Sequence, residues 1–530
     1  MSLTETPANL NGPAEEDLTG RKSMPRNVLT SWGAQLVFIV AGFIMPRLID
    51  ERLGQTALGV WDFGWSTVAY FSLVTAGLVS SVNRYVARHR ATGDMAALNE
   101  SVSSVACVLL IMAAAVAVLA VTTSWLVPKM LSGKLGGMAA EARGVVLLLG
   151  LGLAVQIALS AYGGVLTGCH RWGLHNGIHA ASQVAAVAGM ILVIVLGGGI
   201  IGLAWANILG ETAGWVLRWG LAHRVCPHLS VRPRLARLAT AGRMFGFGGK
   251  SFVPYVAELL TDQTVGMLIV GFLGAPALAL YSRPRSLIRH VRTLITKFSN
   301  VLTPTASSLH ATGDNRALQE LVIKTTRTAT YLGLPMVLVL IILGKPILEV
   351  WMRAEYASVA IVLTILAIGR LFFVLQLPLV SILTGMNAHG RPGVANLIAS
   401  ALSVALAFVA LGPLKLGLSG AAWAVSVPMI AVNAIYMPIL ACRRLNLPLS
   451  RYIRACYLDP AVAGVAMAVV LVASRIAFSD TTSLALAVGA AAGAIAIAPF
   501  YWRAAIPAGL KGRIMRTLRP SPPAAQSETP

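Results

Sequence analysis

The decapeptide ATGDMAALNE at residues 91–100 returns at residues 311–320 as ATGDNRALQE, with seven identities in ten at an offset of 220. At the same offset Leu53-Gly54-x-x-Ala57-Leu58 is answered by Leu273-Gly274-x-x-Ala277-Leu278. Leu166-Thr167-Gly168 is answered by Leu383-Thr384-Gly385 at offset 217, and Gly202-x-Ala204-Trp205-Ala206 by Gly420-x-Ala422-Trp423-Ala424 at offset 218. Four matches in one order at nearly one spacing mark an internal duplication.

The duplicated unit is built for a membrane. The chain has 530 residues, 56% apolar and 12% charged, with a mean hydropathy of +0.74. Soluble proteins average about 45–50% apolar and about 25% charged residues. So little polar surface cannot cover a soluble globule of this size, which excludes a water-soluble enzyme, a coiled coil and a disordered chain. An all-α polytopic membrane protein remains. At about 20 mostly apolar residues per span, the sequence accommodates about fourteen transmembrane helices: six in each half, and two more near 459–475 and 483–502. An even number per half means that both halves enter the membrane in the same sense. The expected architecture is two parallel six-helix repeats around a central cleft plus two C-terminal helices, as in alternating-access transporters.

The domain expectation is a disordered cytoplasmic tail at 1–26, a six-helix bundle at 27–224 and a basic cytoplasmic linker at 225–247. A second bundle at 248–442, two additional transmembrane helices at 443–504 and a basic, Pro-rich cytoplasmic tail at 505–530 follow. The first apolar stretch begins near Val28 behind Arg21, Lys22 and Arg26 and has no small-residue cleavage site, so it reads as an uncleaved first helix.

The 42 Lys and Arg against 20 Asp and Glu give a net charge of +22. With both termini cytoplasmic, 27 of the basic residues fall on cytoplasmic segments, nine outside and six within spans. That asymmetry is the positive-inside signature, so the excess sets topology and nucleic acid is not an expected partner. Cys107, Cys169, Cys226, Cys442 and Cys456 show no CxxC spacing, and neither a disulfide framework nor a zinc site follows.

Charge inside the membrane costs at least about 2.5–3.5 kcal/mol per group at the bilayer centre, so its placement is informative. The eighth span, 277–302, carries Arg283, Arg285, Arg289, Arg292 and Lys297. Arg285, Arg289, Arg292 and Thr296 recur at i, i+4, i+7, i+11, one continuous helical face. Such a stripe lines a water-filled cavity or pairs with acids, unless the helix lies shallow and its arginines snorkel to the interface. Glu258 and Asp262, at i, i+4 on the preceding span, are the available acids and satisfy at most two of the five cations. The surplus suits an anionic solute, and guanidinium forks match phosphate. The same two acids are candidates for exchanging a proton or sodium ion, or for static charge pairing.

Other charges carry weaker signals. Glu211 and Arg370 either face the cleft or pair with each other or with backbone. Asp62 and Asp459 read as interfacial or capping residues. Arg84, beside Asn83 at the end of the second span, either touches a lipid head group or sets topology. His170, His175 and His179 include an i, i+4 pair with no third ligand at a diagnostic spacing, so no metal is expected. Gly248-Gly249-Lys250-Ser251 imitates the end of a phosphate-binding loop, but Met244 occupies the position of its first glycine. With no nucleotide site, no cofactor is expected, and transport would draw on a proton or sodium gradient, the membrane potential or substrate flux. No nucleophile–base constellation points to an enzyme.

Several of these stretches resemble bacterial polysaccharide flippases. They include Leu53-Gly54…Ala57-Leu58-Gly59-x-Trp61 and Arg84-Tyr85-Val86-Ala87 ahead of a Gly-Asp turn. The eighth span running into Thr303-Pro304-Thr305-x-Ser307 and Gly313-Asp314 is similar to their second-half counterpart. Leu334-Pro335 and Lys345-Pro346-Ile347-Leu348-x-x-Trp351…Tyr356 are similar to their ninth helix and the loop after it. The resemblance covers about residues 26 to 445 and is to the O-antigen and exopolysaccharide flippase branch of the multidrug/oligosaccharidyl-lipid/polysaccharide (MOP) exporter superfamily. It implies export of an undecaprenyl-diphosphate-linked oligosaccharide to the periplasmic leaflet of the bacterial inner membrane for cell-surface polysaccharide such as lipopolysaccharide. The partners it implies are membrane lipids, a polysaccharide polymerase and glycosyltransferases. Relatives often have basic cavities. On that resemblance Arg283, Arg285, Arg289, Arg292, Lys297 and Arg84 are candidates for holding the diphosphate. Fourteen spans are typical of lipid II flippases, which keeps that reading open, with a drug/cation antiporter behind it. A non-transporting scaffold of a glycan-synthesis complex would not need the cationic stripe.

Overall fold

Gly54 and Gly274 show why the chain turns where it does. Both have positive φ, 88° and 93°, with ψ near 165° and 171°, a backbone region open essentially to glycine alone. Each ends one helix and starts the next without an intervening loop. The computed structural model describes residues 24–75, 78–248, 252–479 and 481–504; the expected tails and most of the 248–251 loop mimic lie outside the described residues, except 24–26, which already belong to the first helix rather than to a tail.

The chain forms two compact units, Met1–Val256 and Ala257–Pro530. The first contains α1 (Met24–Leu53), α2 (Gln55–Phe71), α3 (Leu78–Ala91), α4 (Met95–Leu131), α5 (Ala139–Gly168), α6 (Trp172–Val195), α7 (Gly199–Val225) and α8 (Leu238–Gly248). The boundary falls within α9 (Phe252–Leu259). The second unit continues with α10 (Val265–Leu273), α11 (Ala275–Asn300), α12 (Leu302–Ala311), α13 (Asn315–Ile342), α14 (Gly344–Trp351), α15 (Ala360–Leu375) and α16 (Leu377–Gly385). It ends with α17 (Gly390–Leu411), α18 (Gly417–Ile430), α19 (Met437–Arg444), α20 (Leu449–Ile453), α21 (Asp459–Ala477) and α22 (Thr482–Ala504).

Among the described residues twelve helical segments are long and apolar enough to cross a membrane. The other two expected spans are the second of each half. One is α2 and α3 joined by a short 3₁₀ turn at Ser72–Thr75. The other is α11, whose 26 residues suffice in length but whose basic side chains lower its hydropathy. The protein is thus a polytopic, all-helical membrane protein of about fourteen helices.

Duplication is written into the backbone. Gly93 and Gly313 have φ of 71° and 72°, and the next residues, Asp94 and Asp314, each cap a helix by accepting from the Ala97 or Ala317 amide at 2.9 Å. An Asp at this position satisfies an amide that the helix start leaves open. In the first unit α5 packs on α4 and α7, and α6 on α1 and α7. In the second, α15 packs on α11, α13 and α18, and α17 on α18. The last two helices belong to the second unit, with α21 on α13 and α22 on α14.

The basic segment 225–247 is laid against the start of α4. Ser230 N donates to Asn99 Oδ1 at 2.9 Å, Arg232 N to Ser103 Oγ at 3.1 Å and Arg237 N to Ser104 Oγ at 2.8 Å. Thr240 Oγ1 donates to Glu100 Oε1 at 2.7 Å, and α8 packs on both α3 and α4.

A candidate anion site in the second unit

A π-turn at Leu260–Thr264 joins α9 to α10 inside one continuous span. Such a widened turn loosens the regular ladder and often marks a functional position. It carries Asp262, whose backbone carbonyl accepts from Arg285 Nη1 on α11. Its carboxylate takes a different partner: Arg370 Nη2 on α15 reaches Asp262 Oδ1 at 2.6 Å. Gly369 makes that placement feasible, because α15 and α18 approach so closely there that a Cβ would lie 2.7 Å from Ser426 Cα. One turn before Asp262, Glu258 Oε1 accepts from Arg292 Nη2 at 2.5 Å.

These groups surround a cavity lined by Thr261, Asp262, Tyr281, Arg285, Arg289, Arg292, Arg370 and Phe373, among others. Its water-accessible volume is about 30 Å³, room for one or two waters, and the whole empty space, open to solvent, is about 470 Å³. Arg289 is exposed at this mouth and lies 3.4 Å from Ser286 Oγ. Phe373 is flanked by the Arg292 and Arg370 guanidinium carbons, 6.0 and 5.9 Å from its ring centre, at the outer edge of cation–π range.

Of the residues singled out in sequence, Arg285, Arg289, Arg292, Asp262 and Arg370 line this one cavity, and Glu258 joins through Arg292. Arg283, two residues before Arg285, is buried outside the lining, and Lys297 is exposed beyond it. Arg84 is exposed on α3 in the first unit. The expected pairing is corrected in one respect: Asp262 gives its carboxylate to Arg370, not to the α11 arginines, which removes Arg370 as a partner for Glu211. The packing of α11 on α15 decides this, and periodicity along one helix carries no information about it.

Glu211 instead neighbours Arg218, two turns later on α7. Arg218, one of the 27 basic residues that topology assigns to the cytoplasmic side, is 0% exposed and its guanidinium stacks 4.3 Å over Trp215. His175 and His179 are within its electrostatic reach. Phe373 was also missed, although it follows Arg370 by three residues and so shares its helical face. No cluster of three or more His, Cys, Asp or Glu suited to a metal occurs among the described residues.

Chemically the arrangement can receive an anion. Among the described residues it gathers Arg285, Arg289, Arg292 and Arg370 around the carboxylates of Asp262 and Glu258, inside a segment where charge is costly.

A family model described as "Polysaccharide biosynthesis protein" matches residues 94–361, half of the chain. The chain belongs to that family. Similarity extends to the "Uncharacterized membrane protein EpsK" of Bacillus subtilis (strain 168), 24% identical over 413 residues that cover 77% of this chain and 81% of that protein. Among solved structures the lipid II flippase MurJ in an inward closed conformation matches with a TM-score of 0.69 at 12% identity, covering 90% of this chain and 99% of that one. An inward-facing multidrug resistance MATE family transporter of the MOP superfamily matches with a TM-score of 0.66 at 14% identity, over 78% and 94% of the two chains. The chain thus belongs to the polysaccharide biosynthesis family, and its fold is the one shared by these solved transporters.

Proposed function

We propose that the protein moves an undecaprenyl-diphosphate-linked oligosaccharide from the cytoplasmic to the periplasmic leaflet of the bacterial inner membrane, by alternating access and with both termini in the cytoplasm. The observation that carries this reading is the surplus of guanidinium groups at one cavity: Arg285 and Arg292 at its wall, Arg289 at its mouth. A diphosphate offers paired oxygen acceptors that a guanidinium fork engages at two points. The head group meets the arginines from the open side, where Arg289 is exposed. Glu258 and Asp262 act as static partners that orient the arginines; each carboxylate already has a guanidinium. A cationic drug meets net repulsion here. Lipid II carries the same diphosphate, and the overall likeness to MurJ favours it as the second reading.

The test is flipping in reconstituted vesicles, with a diphosphate-linked saccharide as substrate. Arg285→Gln, Arg289→Gln and Arg292→Gln combined should abolish transport in a protein that still inserts and melts cooperatively. Undiminished flipping by that variant would overturn the reading.

A further inference from the structure

At one end of the second unit, the start of α17 meets the end of α19. Two adjoining pockets lie there, of about 580 and 410 Å³, sharing Ile439 and Arg443. Their basic side chains are Arg391, Arg443 and Arg444, beside Tyr436, Leu440 and Leu449. None of the three arginines makes an ion pair among the described residues, and all three are exposed. No acid is near in sequence either, for no Asp or Glu occurs between Glu355 and Asp459. Arg451 and Arg454, also exposed, follow just after.

Below the arginines, both helices present apolar side chains outward. On α17 the exposed residues Val394, Ile398, Leu402 and Leu406 recur every four positions. On α18, which packs against α17, Trp423 and Val427 do the same, and the π-turn Ala431–Tyr436 continues the row with Ile435. The twelve helical steps from Val394 to Leu406 rise about 18 Å, close to one leaflet of a hydrocarbon core about 30 Å thick. Cationic pockets thus sit above two apolar tracks of one leaflet's depth.

We propose that this corner holds an anionic glycerophospholipid of the surrounding membrane, its phosphate on Arg391, Arg443 and Arg444 and its acyl chains along α17 and α18. Zwitterionic lipid would bring its own cation into a pocket whose charged side chains are all cations, whereas anionic lipid supplies the missing charge. The lipid is resident rather than transported, and the inference is independent of the transport reading.

The experiment is native mass spectrometry of the detergent-purified protein titrated with phosphatidylglycerol, phosphatidylcholine or undecaprenyl diphosphate. Phosphatidylglycerol should be retained about a hundredfold more tightly than phosphatidylcholine, from three arginines each worth about fivefold. Combined R391Q, R443Q and R444Q should erase that preference, while R316Q, an exposed control elsewhere in the unit, should keep it. If the triple variant fails to fold, a photoactivatable phosphatidylglycerol should crosslink to the wild-type pocket at Tyr436 or Ile439. Equal retention of the two phospholipids, an unchanged preference in the triple variant, crosslinks confined to other helices, or retention at this corner of undecaprenyl diphosphate alone would each overturn the proposal.

Discussion

Replacing Asp262 with Asn separates a cluster held by charge from one that merely contains it. The Asp262 and Arg370 side chains are 19% and 14% exposed and meet at 2.6 Å. Asn keeps the shape but removes the carboxylate, so Arg370 is left facing Arg285, Arg289 and Arg292 without its acid. Breaking a buried pair from one side typically costs about 3–5 kcal/mol. An internal reference exists on the surface of the same unit: Arg316 and Glu320 are 90% and 68% exposed at 3.6 Å, and a pair of that kind is worth at most about 1 kcal/mol. Melting of the purified protein in detergent should therefore drop markedly for Asp262→Asn and hardly at all for Glu320→Gln. Adding Arg370→Met to Asp262→Asn removes the orphaned cation and should recover most of the loss, a coupling of about 2–3 kcal/mol in a double-mutant cycle. Should Asp262→Asn melt like Glu320→Gln, or the double variant fall to the sum of the single losses, the pair does not organise the site.

Three further outcomes follow from particular contacts. Gly369→Ala forces a Cβ to within 2.7 Å of Ser426 Cα, which should destabilise by about 1–3 kcal/mol through overpacking; Ser426→Gly removes the side-chain clash but not the backbone one and should rescue only in part. Asp94→Ala and Asp314→Ala each delete a cap accepting at 2.9 Å and should cost about 1 kcal/mol apiece, so unequal melting shifts would contradict their equivalence. Arg218 has no hydrogen-bond partner for Nε, Nη1 or Nη2 among the described residues, and burying a charge without hydrogen bonds is costly; Arg218→Met combined with Glu211→Gln removes both charges and should melt at or above the wild type, and a large drop would reveal an essential partner.

Much of the fold was legible because it rests on local rules. The repeat at residues 91–100 and 311–320 is a Gly-Asp turn with a capped helix after it, a structure fixed by a few consecutive residues, so its sequence survives in both halves. The arginine face of α11 was legible for a similar reason: helical periodicity alone puts Arg285, Arg289 and Arg292 together. Partner choice was not. Whether Asp262 meets an α11 arginine or Arg370 depends on how α15 packs beside α11, a tertiary fact with no local signal. The π-turn at Leu260–Thr264 likewise departs from the 3.6-residue period on which face assignments rest. Arg218 illustrates the limit of counting charges. It lies near the end of a span, where topology rules expect a surface cation, and burial against Trp215 shows only in three dimensions.

Diphosphate binding by the α11 arginines is the claim on which the functional reading stands, and Arg289 is its most direct probe, since it lies at the cavity mouth. Calorimetric titration of the purified protein with undecaprenyl diphosphate should compare wild type, Arg289→Lys and Arg289→Ala. A charge-assisted hydrogen bond is worth about 1.5–3 kcal/mol, so losing one weakens binding about tenfold or more. Lysine keeps the charge but not the fork, so Arg289→Lys should bind about tenfold more weakly than wild type and Arg289→Ala more weakly still. Identical affinities across the three proteins would contradict the assignment of the diphosphate to this stripe.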